Sequence, residues 1–366
     1  MKIKAFRALH PNFNLLTSPD SFTSEIKKNF KELLASGLIE IEKKPAFFIY
    51  RIMDGDQAHT GLITGTDIRE YLQNNIKKHE QTLNAREQTQ LNRILQWNTT
   101  LKPILLVYKK VPAIAKMLRD VTSKRKPDFE VSFESSPQIH KFWRIEDKNW
   151  HKKISALFKE KVKTAYIADG HHRIAGTAAL YEKFPKMHYD QAFTAYFSFD
   201  EVTILPYNRV ISNLHGKSPA RFIAELSQFM KIKPLTKPAV PRHKHQITML
   251  LRHEWYRLEW RKRKISKLAA GEPVLLDSHL LNLFVFSRLG IKDPRSDRRI
   301  TYVGGNEGLE GIIRRVGDDP AKIGFCLYPV DIAELVRISD LDKTLPPKST
   351  WFEPRLKNGL IMKAFE

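Results

Sequence analysis

The stretch Thr164-Ala165-Tyr166-Ile167-Ala168-Asp169-Gly170-His171-His172-Arg173 determines how this sequence is interpreted. A short apolar run ends at Asp169-Gly170, and a helical pattern follows directly after Arg173. Gly170 can adopt backbone angles that other residues avoid, so a ligand can approach the chain closely there. The following helix would turn its unpaired N–H groups and its positive dipole end toward that ligand. The stretch therefore predicts a strand, a tight turn and a helix that together bind phosphate.

The side chains of this turn support the same interpretation. His171, His172 and Arg173, together with the backbone of Gly170, would form the phosphate cradle. In the alternative interpretation, Asp169 only caps the helix and the basic side chains are solvated. We favour the cradle because functional residues gather on loops at strand ends, and because core packing gives no reason for His-His-Arg there.

The composition describes a globular protein with a large excess of positive charge. The 366 residues are 42% hydrophobic and carry a formal net charge of +22, enough chain for one large or two ordinary domains. The sequence has no membrane-length apolar run and no signal-peptide pattern, and its single cysteine, Cys326, excludes internal disulfides. We therefore expect a cytoplasmic protein with no membrane partner. Its basic clusters are not interleaved with aromatic residues, so nucleic acid is a less favoured partner.

Strand and helix patterns mix along the chain without strict alternation, which predicts an α+β or mixed α/β fold. The clearest elements are a hairpin around Asp54-Gly55 and a buried strand over residues 104–108. A soft boundary near residue 215 would separate a catalytic or nucleotide-binding region, 1–215, from a C-terminal α+β region, 216–366. A single compact unit is the alternative.

A second cluster of functional residue types lies in a segment predicted to form a long helix, or two, beginning with Thr66 as the N-cap. At steps of three or four residues, one apolar stripe of that helix would comprise Ile68, Leu72, Ile76, His79 and Leu83. A histidine on such a stripe is usually a core residue. The neighbouring residues favour a functional role for this segment, because Lys77 and Lys78 would bind phosphate and Glu80 would accept a proton or hold magnesium.

Two later segments supply predicted substrate-binding residues. In the segment 205–210, Asn208 and Arg209 are candidates; Arg209 would be a carboxylate or phosphate fork, or else a surface arginine at a strand end. In the segment 346–355, three prolines and two aromatic residues surround Lys348 and Ser349, which predicts a fixed loop. A ligand contact and a structural clamp are equally compatible with that loop.

Several common sites are absent from the sequence. It contains no GxxxxGK[ST], no GxGxxG, no HExxH and no serine elbow. Adjacent residues such as His171 and His172 rarely reach one ion in good geometry, so we expect no dedicated metal site in the protein.

The chain resembles a known family on the strength of seven segments that occur in order from residue 6 to residue 360. They are FRALHP, GLITG, IKKHE, YIADGHHR, LPYNRV, DPRSDRRITYVGG and LPPKSTWFEPRLKNGL. The chain is identified as a member of the bacterial and archaeal domain-of-unknown-function family marked by KKHE and ADGHHR. One departure is the short segment Leu16-Thr17-Ser18-Pro19-Asp20, where family members usually carry Pro-Tyr-Asp; the departure implies altered specificity or lost activity.

The DGHHR turn is also similar to the phosphate-binding motif of the ParB/sulfiredoxin superfamily, which includes kinases that phosphorylate free serine. This resemblance implies a ParB/sulfiredoxin-like strand–turn–helix core with an additional mixed sheet and helices. Family genes often lie beside serine-biosynthesis genes. Carried over, residues 170–173 bind nucleotide phosphates and Asp169 is the acidic residue that activates the hydroxyl. Glu80, beside His79, is our own candidate for a second catalytic carboxylate.

The resemblance implies transfer of a phosphoryl group between a small hydroxyl metabolite and either a nucleotide (ATP or ADP) or pyrophosphate. Free serine or phosphoserine is the leading candidate for the metabolite. Magnesium would offset the phosphate charge. Two alternatives stay open: a ParB-like, nucleotide-gated regulator that contacts nucleic acid, and a hydrolase that removes phosphate from phosphoserine.

Overall fold

The computed structural model describes residues 1–81, 84–185 and 187–365. The strands in chain order are β1 Ile3–Lys4, β2 Ala8–Pro11, β3 Ile39–Ile41, β4 Phe47–Asp54, β5 Gln57–Asp67, β6 Ile76–Lys77, β7 Thr99–Thr100, β8 Ile104–Tyr108, β9 Phe129–Phe133, β10 Ser136–Ile145, β11 Ala165–Asp169, β12 Gln191–Ser198, β13 Thr203–Ile211, β14 Met230–Leu235, β15 Gln246–Leu251, β16 Glu254–Trp260, β17 Ile300–Gly304, β18 Ile323–Cys326, β19 Thr350–Glu353 and β20 Met362–Ala364. The α-helices are α1 Pro19–Ala35, α2 Arg69–Leu72, α3 Asn84–Trp97, α4 Pro112–Lys124, α5 Lys148–Lys161, α6 His171–Lys183, α7 Pro219–Ser227, α8 Lys262–Ala269, α9 Asp277–Leu280, α10 Gly308–Val316 and α11 Ile332–Asp340.

The chain divides into two compact units, and the fold class is α+β as predicted. Unit 1 comprises Met1–Thr203 and Pro354–Glu366, and unit 2 comprises Ile204–Glu353. The sequence boundary near residue 215 falls inside unit 2, because β13 pairs with β17 and β18. The functional roles assigned to the two regions stay predictions.

Unit 1 is built on a nine-stranded sheet with the order β6-β11-β8-β12-β5-β4-β10-β9, to which β1 is added beside β5. The predicted hairpin is present, with Asp54 opposite Gln57 at its turn. All five residues of β8 are buried, as expected for an interior strand. Ile114, Phe158 and Ile174, from α4, α5 and α6, pack into the core of this sheet and fix the helices against it.

A smaller sheet of unit 1 has the order β3-β2-β20-β7. Phe22, Ile26 and Phe30 follow helical spacing along α1 and bury one face of the helix in the cluster that includes Leu9 and Met362. Ser18 caps the helix by accepting a hydrogen bond from the N–H of Ser21.

Unit 2 contains a seven-stranded sheet with the order β14-β16-β15-β18-β13-β17, and β19 pairs with β13. In unit 2, α9 is followed directly by a π-helical stretch, Leu281–Phe286, and a 3-10 turn, Ser287–Leu289. This run packs with α7 on one face of the sheet, and α10 packs on the other. Cys326 is buried in β18.

The long helix predicted from Thr66 is wrong. Thr66 belongs to β5, and the helical run ends at Leu72 after one turn. Asn74 has a positive φ of 61°, and the chain then extends into β6, which pairs in parallel with β11. Leu72 is 41% exposed, so the apolar stripe does not form, although His79 is buried in a non-helical segment. Leu83 lies outside the described residues.

Residues 5–7 separate β1 from β2, and the polar stretch over residues 123–138 contains β9 and the beginning of β10. Within the described residues, the helices are too short or too polar to span a membrane.

Candidate functional site

The DGHHR segment forms the strand, turn and helix that the sequence predicts. β11 pairs in parallel with β6 and antiparallel with β8, and its register with β8 shifts between Ile167 and Asp169. Gly170 then turns the chain with φ 108° and ψ 26°. Its carbonyl accepts the N–H of Arg173 at 2.9 Å and that of Ile174 at 3.1 Å. The N-cap residue of α6 is Gly170, which has no side chain to cap the helix, and the positive end of the helix dipole lies at this turn.

Gly170 is required at this turn for two separate reasons. Its positive φ is strained for any residue with a side chain. In addition, a Cβ at this position would lie 2.7 Å from a guanidinium nitrogen of Arg173. The glycine therefore lets the arginine fold back over the start of its own helix.

We expect Gly170→Ala to disturb the site more than an equivalent substitution elsewhere in unit 1. The matched control is Gly55→Ala, because Gly55 also has a positive φ but has no atom within 4 Å of an added Cβ. Each variant should lose roughly 1–2 kcal/mol of unfolding free energy from backbone strain. If pyrophosphate binds at this turn and raises the denaturation midpoint, only Gly170→Ala should also lose that rise. Equal behaviour of the two variants in chemical denaturation would contradict this expectation.

One carboxylate and several cations occupy the turn. Asp169 Oδ2 lies 2.9 Å from Lys102 Nζ and 2.9 Å from a terminal nitrogen of Arg173. Arg173 also donates to the backbone carbonyls of Lys102 at 3.1 Å and Pro103 at 3.0 Å. The side chains of Lys102 and Arg173 are only 18% and 14% exposed. The guanidinium and the ammonium are thus held in place beside the first turn of α6.

The charges of this cluster determine how it titrates. Burial by itself would raise the pKa of Asp169, but Arg173, Lys102 and Arg355 hold that pKa well below its ordinary value. Burial lowers the pKa of Lys102, and the charge of Asp169 opposes that shift. Asp169 therefore stays ionised near neutral pH, and its one negative charge lies among three positive ones.

A second group of residues surrounds His171, the first residue of α6. His171 is 6% exposed and packs edge to face against His79, which is 2% exposed, with ring centroids 4.6 Å apart. The backbone N–H of His79 donates to His171 Nε2 at 3.4 Å. His171 Nδ1 lies 4.0 Å from Glu80 Oε2, and the Glu80 side chain is 41% exposed. The structure thus brings His79 and Glu80 to the phosphate turn by a strand and not by the predicted helix.

The buried histidine pair predicts a specific loss of stability in mild acid. Burial lowers the pKa of His79 from 6.5 to about 4, and burial with the neighbouring His79 ring lowers that of His171 well below 6.5. The unfolded chain binds these protons as the pH falls below the unfolded pKa, whereas the folded chain resists them until the lower pKa. Acidification from about pH 7.5 to about pH 5 should therefore cost about 2 kcal/mol of unfolding free energy through His79 alone.

Denaturation at these two pH values tests the expectation. Carboxylates with lowered pKa lose their stabilising effect only below the unfolded carboxyl pKa of about 4, so they do not contribute in this window. His79→Gln should remove only the share of the pH dependence that His79 causes, because His171 and the buried His140, whose pKa burial lowers to about 3, keep theirs. A substitution of the exposed His188, His188→Gln, should leave the dependence unchanged. An equally steep dependence in His79→Gln would show that other groups cause it.

The remaining predicted phosphate ligands lie near the turn with different exposure. Lys77 is half-buried in β6, opposite Tyr166 of β11, and Lys78 is exposed. His172 is half-buried in the first turn of α6. Phosphate contacts by these three residues stay predictions.

The predicted substrate-binding residues lie in unit 2 and are largely buried. Arg209 is 2% exposed, donates to the carbonyls of Tyr207 and Lys348, and lies over the Tyr302 ring. Asn208 is 1% exposed and accepts the N–H of Leu327 at 3.1 Å.

The loop of residues 346–349 is similarly tied to its surroundings. Ser349 donates to the Pro346 carbonyl at 2.7 Å and lies 3.0 Å from the Ser278 hydroxyl oxygen, and Lys348 Nζ lies 5.2 Å from the centre of the Tyr207 ring. These contacts favour the structural-clamp interpretation of the loop, and substrate binding by Asn208, Arg209, Lys348 and Ser349 stays a prediction.

Sequence reasoning missed two cations of the turn, Lys102 and Arg355. Lys102 precedes β8, whose antiparallel pairing with β11 carries it to Asp169 across 67 residues of sequence. Arg355 belongs to the C-terminal segment of unit 1. The one local signal was Lys102-Pro103 immediately before a buried strand.

No three His, Cys, Asp or Glu side chains come together as a metal-binding group in the part of the chain that the structure describes. Asp169 is already engaged by two cations. A magnesium ion would therefore depend mainly on the phosphate oxygens of a bound nucleotide.

These observations define an α+β protein in which a buried strand, a glycine turn and a helix start lie beside two cations that share one carboxylate. The chain belongs to the family described as "Protein of unknown function (DUF1015)", which matches residues 9–279. No curated protein matches the chain.

Solved structures show only a distant likeness. SbnI with a C-terminal truncation, from Staphylococcus aureus, is 11% identical, with a TM-score of 0.43 and coverage of 81% of this chain and 85% of that one. A free serine kinase variant in complex with ADP is 12% identical, with a TM-score of 0.39 and coverage of 79% and 87%. A conserved hypothetical protein from Pyrococcus furiosus is 13% identical, with a TM-score of 0.39 and coverage of 82% and 95%. Likenesses at this level carry no argument about function.

Proposed function

We propose that the DGHHR turn binds the phosphates of a nucleotide or of pyrophosphate and that the protein transfers a phosphoryl group to or from a small hydroxyl metabolite. The observation that carries this proposal is that Lys102 and Arg173, both held by Asp169 at 2.9 Å, lie at the glycine turn that begins α6. Their positions are fixed before a ligand arrives, so little reorganisation is needed when phosphate charge develops. The charge of Arg355 supports the same function.

The two carboxylates of the site would have different roles. Asp169 has a strongly lowered pKa and is a poor proton acceptor, so it would orient the two cations. Glu80 Oε2 lies 4.0 Å from His171 Nδ1, and the Glu80 side chain is 41% exposed. It would accept the proton of the attacking hydroxyl, and in the reverse direction return it.

Serine and phosphoserine are the first substrates to test, and this choice rests on the resemblance of the turn to that of the free-serine kinases. Magnesium, bound mainly through the nucleotide phosphates, would neutralise part of their charge. The chain's own residues would position the phosphates and remove the hydroxyl proton.

Phosphorus NMR tests the proposal directly. Purified protein and magnesium are incubated with serine or phosphoserine, each paired with ATP, ADP, AMP or pyrophosphate. New phosphoserine, or transfer of its phosphate to a nucleotide, is the expected result. Release of inorganic phosphate from phosphoserine alone would instead indicate the hydrolase alternative. Nucleotide shifts without turnover would indicate the nucleotide-gated regulator, and neither binding nor turnover would overturn the phosphate-turn interpretation.

A further inference from the structure

The buried contacts of His171 differ from those of a phosphate ligand. Its side chain is only 6% exposed, whereas a ligand to a bound phosphate needs an accessible N–H. Its Nε2 is the acceptor of the His79 backbone N–H, so this nitrogen carries no proton. A buried imidazole of lowered pKa is neutral near pH 7, so its one proton is on Nδ1.

The proton on Nδ1 faces Glu80. The distance between His171 Nδ1 and Glu80 Oε2 is 4.0 Å, close enough for attraction between the N–H and the carboxylate. The His79 ring, which packs against His171, is itself anchored to the sheet, because it donates to the Ile167 carbonyl of β11. His79 and His171 therefore connect the backbone of β11 to the Glu80 carboxylate through two neutral rings.

We propose that His171 is a positioning residue that orients the Glu80 carboxylate through its Nδ1–H, and that it does not bind phosphate. This inference rests on the proposed function, in which Glu80 accepts the hydroxyl proton. The two adjacent histidines of the motif would then have different roles, because His171 is buried and His172 is the more exposed of the two.

Two substitutions of His171 distinguish positioning from phosphate binding. The amide nitrogen of asparagine takes approximately the place of Nδ1, and that of glutamine approximately the place of Nε2. His171→Asn should therefore keep most of the kcat, whereas His171→Gln should lose about 10- to 100-fold, part of the contribution of a general base. The dissociation constant for ADP should stay unchanged in both. His151→Gln, which alters a half-buried histidine that contacts the Ile145 carbonyl, controls for the loss of a packed imidazole.

A weaker ADP affinity in both His171 variants, with unchanged kcat at saturation, would overturn the proposal in favour of phosphate binding. A second measurement does not depend on turnover. Nitrogen-15 NMR of histidine-labelled protein, with the His171 signal assigned by its loss in His171→Gln, should show the Nδ1–H form at neutral pH. An Nε2–H or doubly protonated ring would overturn the proposal even if the enzyme is active. The Nδ1–H form in a protein without any turnover would uphold the contact with Glu80 and refute the proposed function alone.

Discussion

Asp169→Asn is expected to reduce phosphoryl transfer by about 100-fold or more while nucleotide affinity stays close to that of the unchanged protein. The carboxylate is the shared partner of Lys102 and Arg173, each at 2.9 Å. Asparagine can still accept one hydrogen bond but carries no charge, so the two cations repel each other and lose their common alignment. Bound phosphate supplies replacement negative charge, which maintains binding but not the geometry that the transition state requires.

The control for this prediction is Asp200→Asn, because Asp200 forms an ion pair with Lys110 elsewhere in unit 1 and its side chain is 42% exposed, close to the 37% of Asp169. The control should leave turnover unchanged. Single-turnover kinetics and calorimetric titration with ADP measure the two effects separately, and denaturation shows whether the variant is folded. A parallel loss of turnover and affinity in Asp169→Asn would mean that Asp169 maintains the structure of the turn.

The local part of the site could be predicted from sequence because its physical causes are local. A buried run that ends in Asp-Gly, followed by helical spacing, leaves few conformations other than strand, turn and helix. The hairpin around Asp54-Gly55 was predictable for the same reason, since a short turn of this type fixes the pairing of the flanking strands.

The helix predicted from Thr66 failed because spacing alone did not distinguish a helix from a turn between two short elements. Asn74, with its positive φ, ends the helical run, and the parallel pairing of β6 with β11 stabilises the strand that follows. That pairing joins residues about ninety positions apart, so the sequence around Ile76 carries no sign of it. The same long-range pairing accounts for the burial of His79 beside His171.

Lys102 illustrates why the charge balance of the site could not be predicted. A lysine before a buried strand has no local feature that links it to Asp169, and only the register of β8 on β11 brings them together. Without Lys102, Asp169 looks like a free carboxylate and a suitable base. With it, Asp169 is an ionised partner of two cations near neutral pH, and we therefore propose Glu80 as the base.

Glu80→Gln is the second substitution with a large expected effect. Removal of a general base typically costs 10²- to 10⁴-fold in rate, and glutamine keeps the size and the hydrogen-bonding oxygen of the side chain. We therefore expect kcat to fall by about 100-fold or more in both directions of transfer, because the group that accepts the proton in one direction returns it in the other. ADP affinity should change little, since the proposed function assigns phosphate binding to the helix start, Lys102 and Arg173 and not to Glu80.

The matched control is Glu160→Gln, which alters an exposed glutamate paired with Lys161. The pH dependence of kcat supplies the stronger criterion. If Glu80 is the base, activity falls as the pH drops through its pKa, and this acid limb disappears from the residual activity of Glu80→Gln. Asp169 cannot produce such a limb in the same range, because Arg173 and Lys102 keep it ionised. An acid limb that persists in Glu80→Gln would therefore exclude both carboxylates as its source and assign proton transfer to another group.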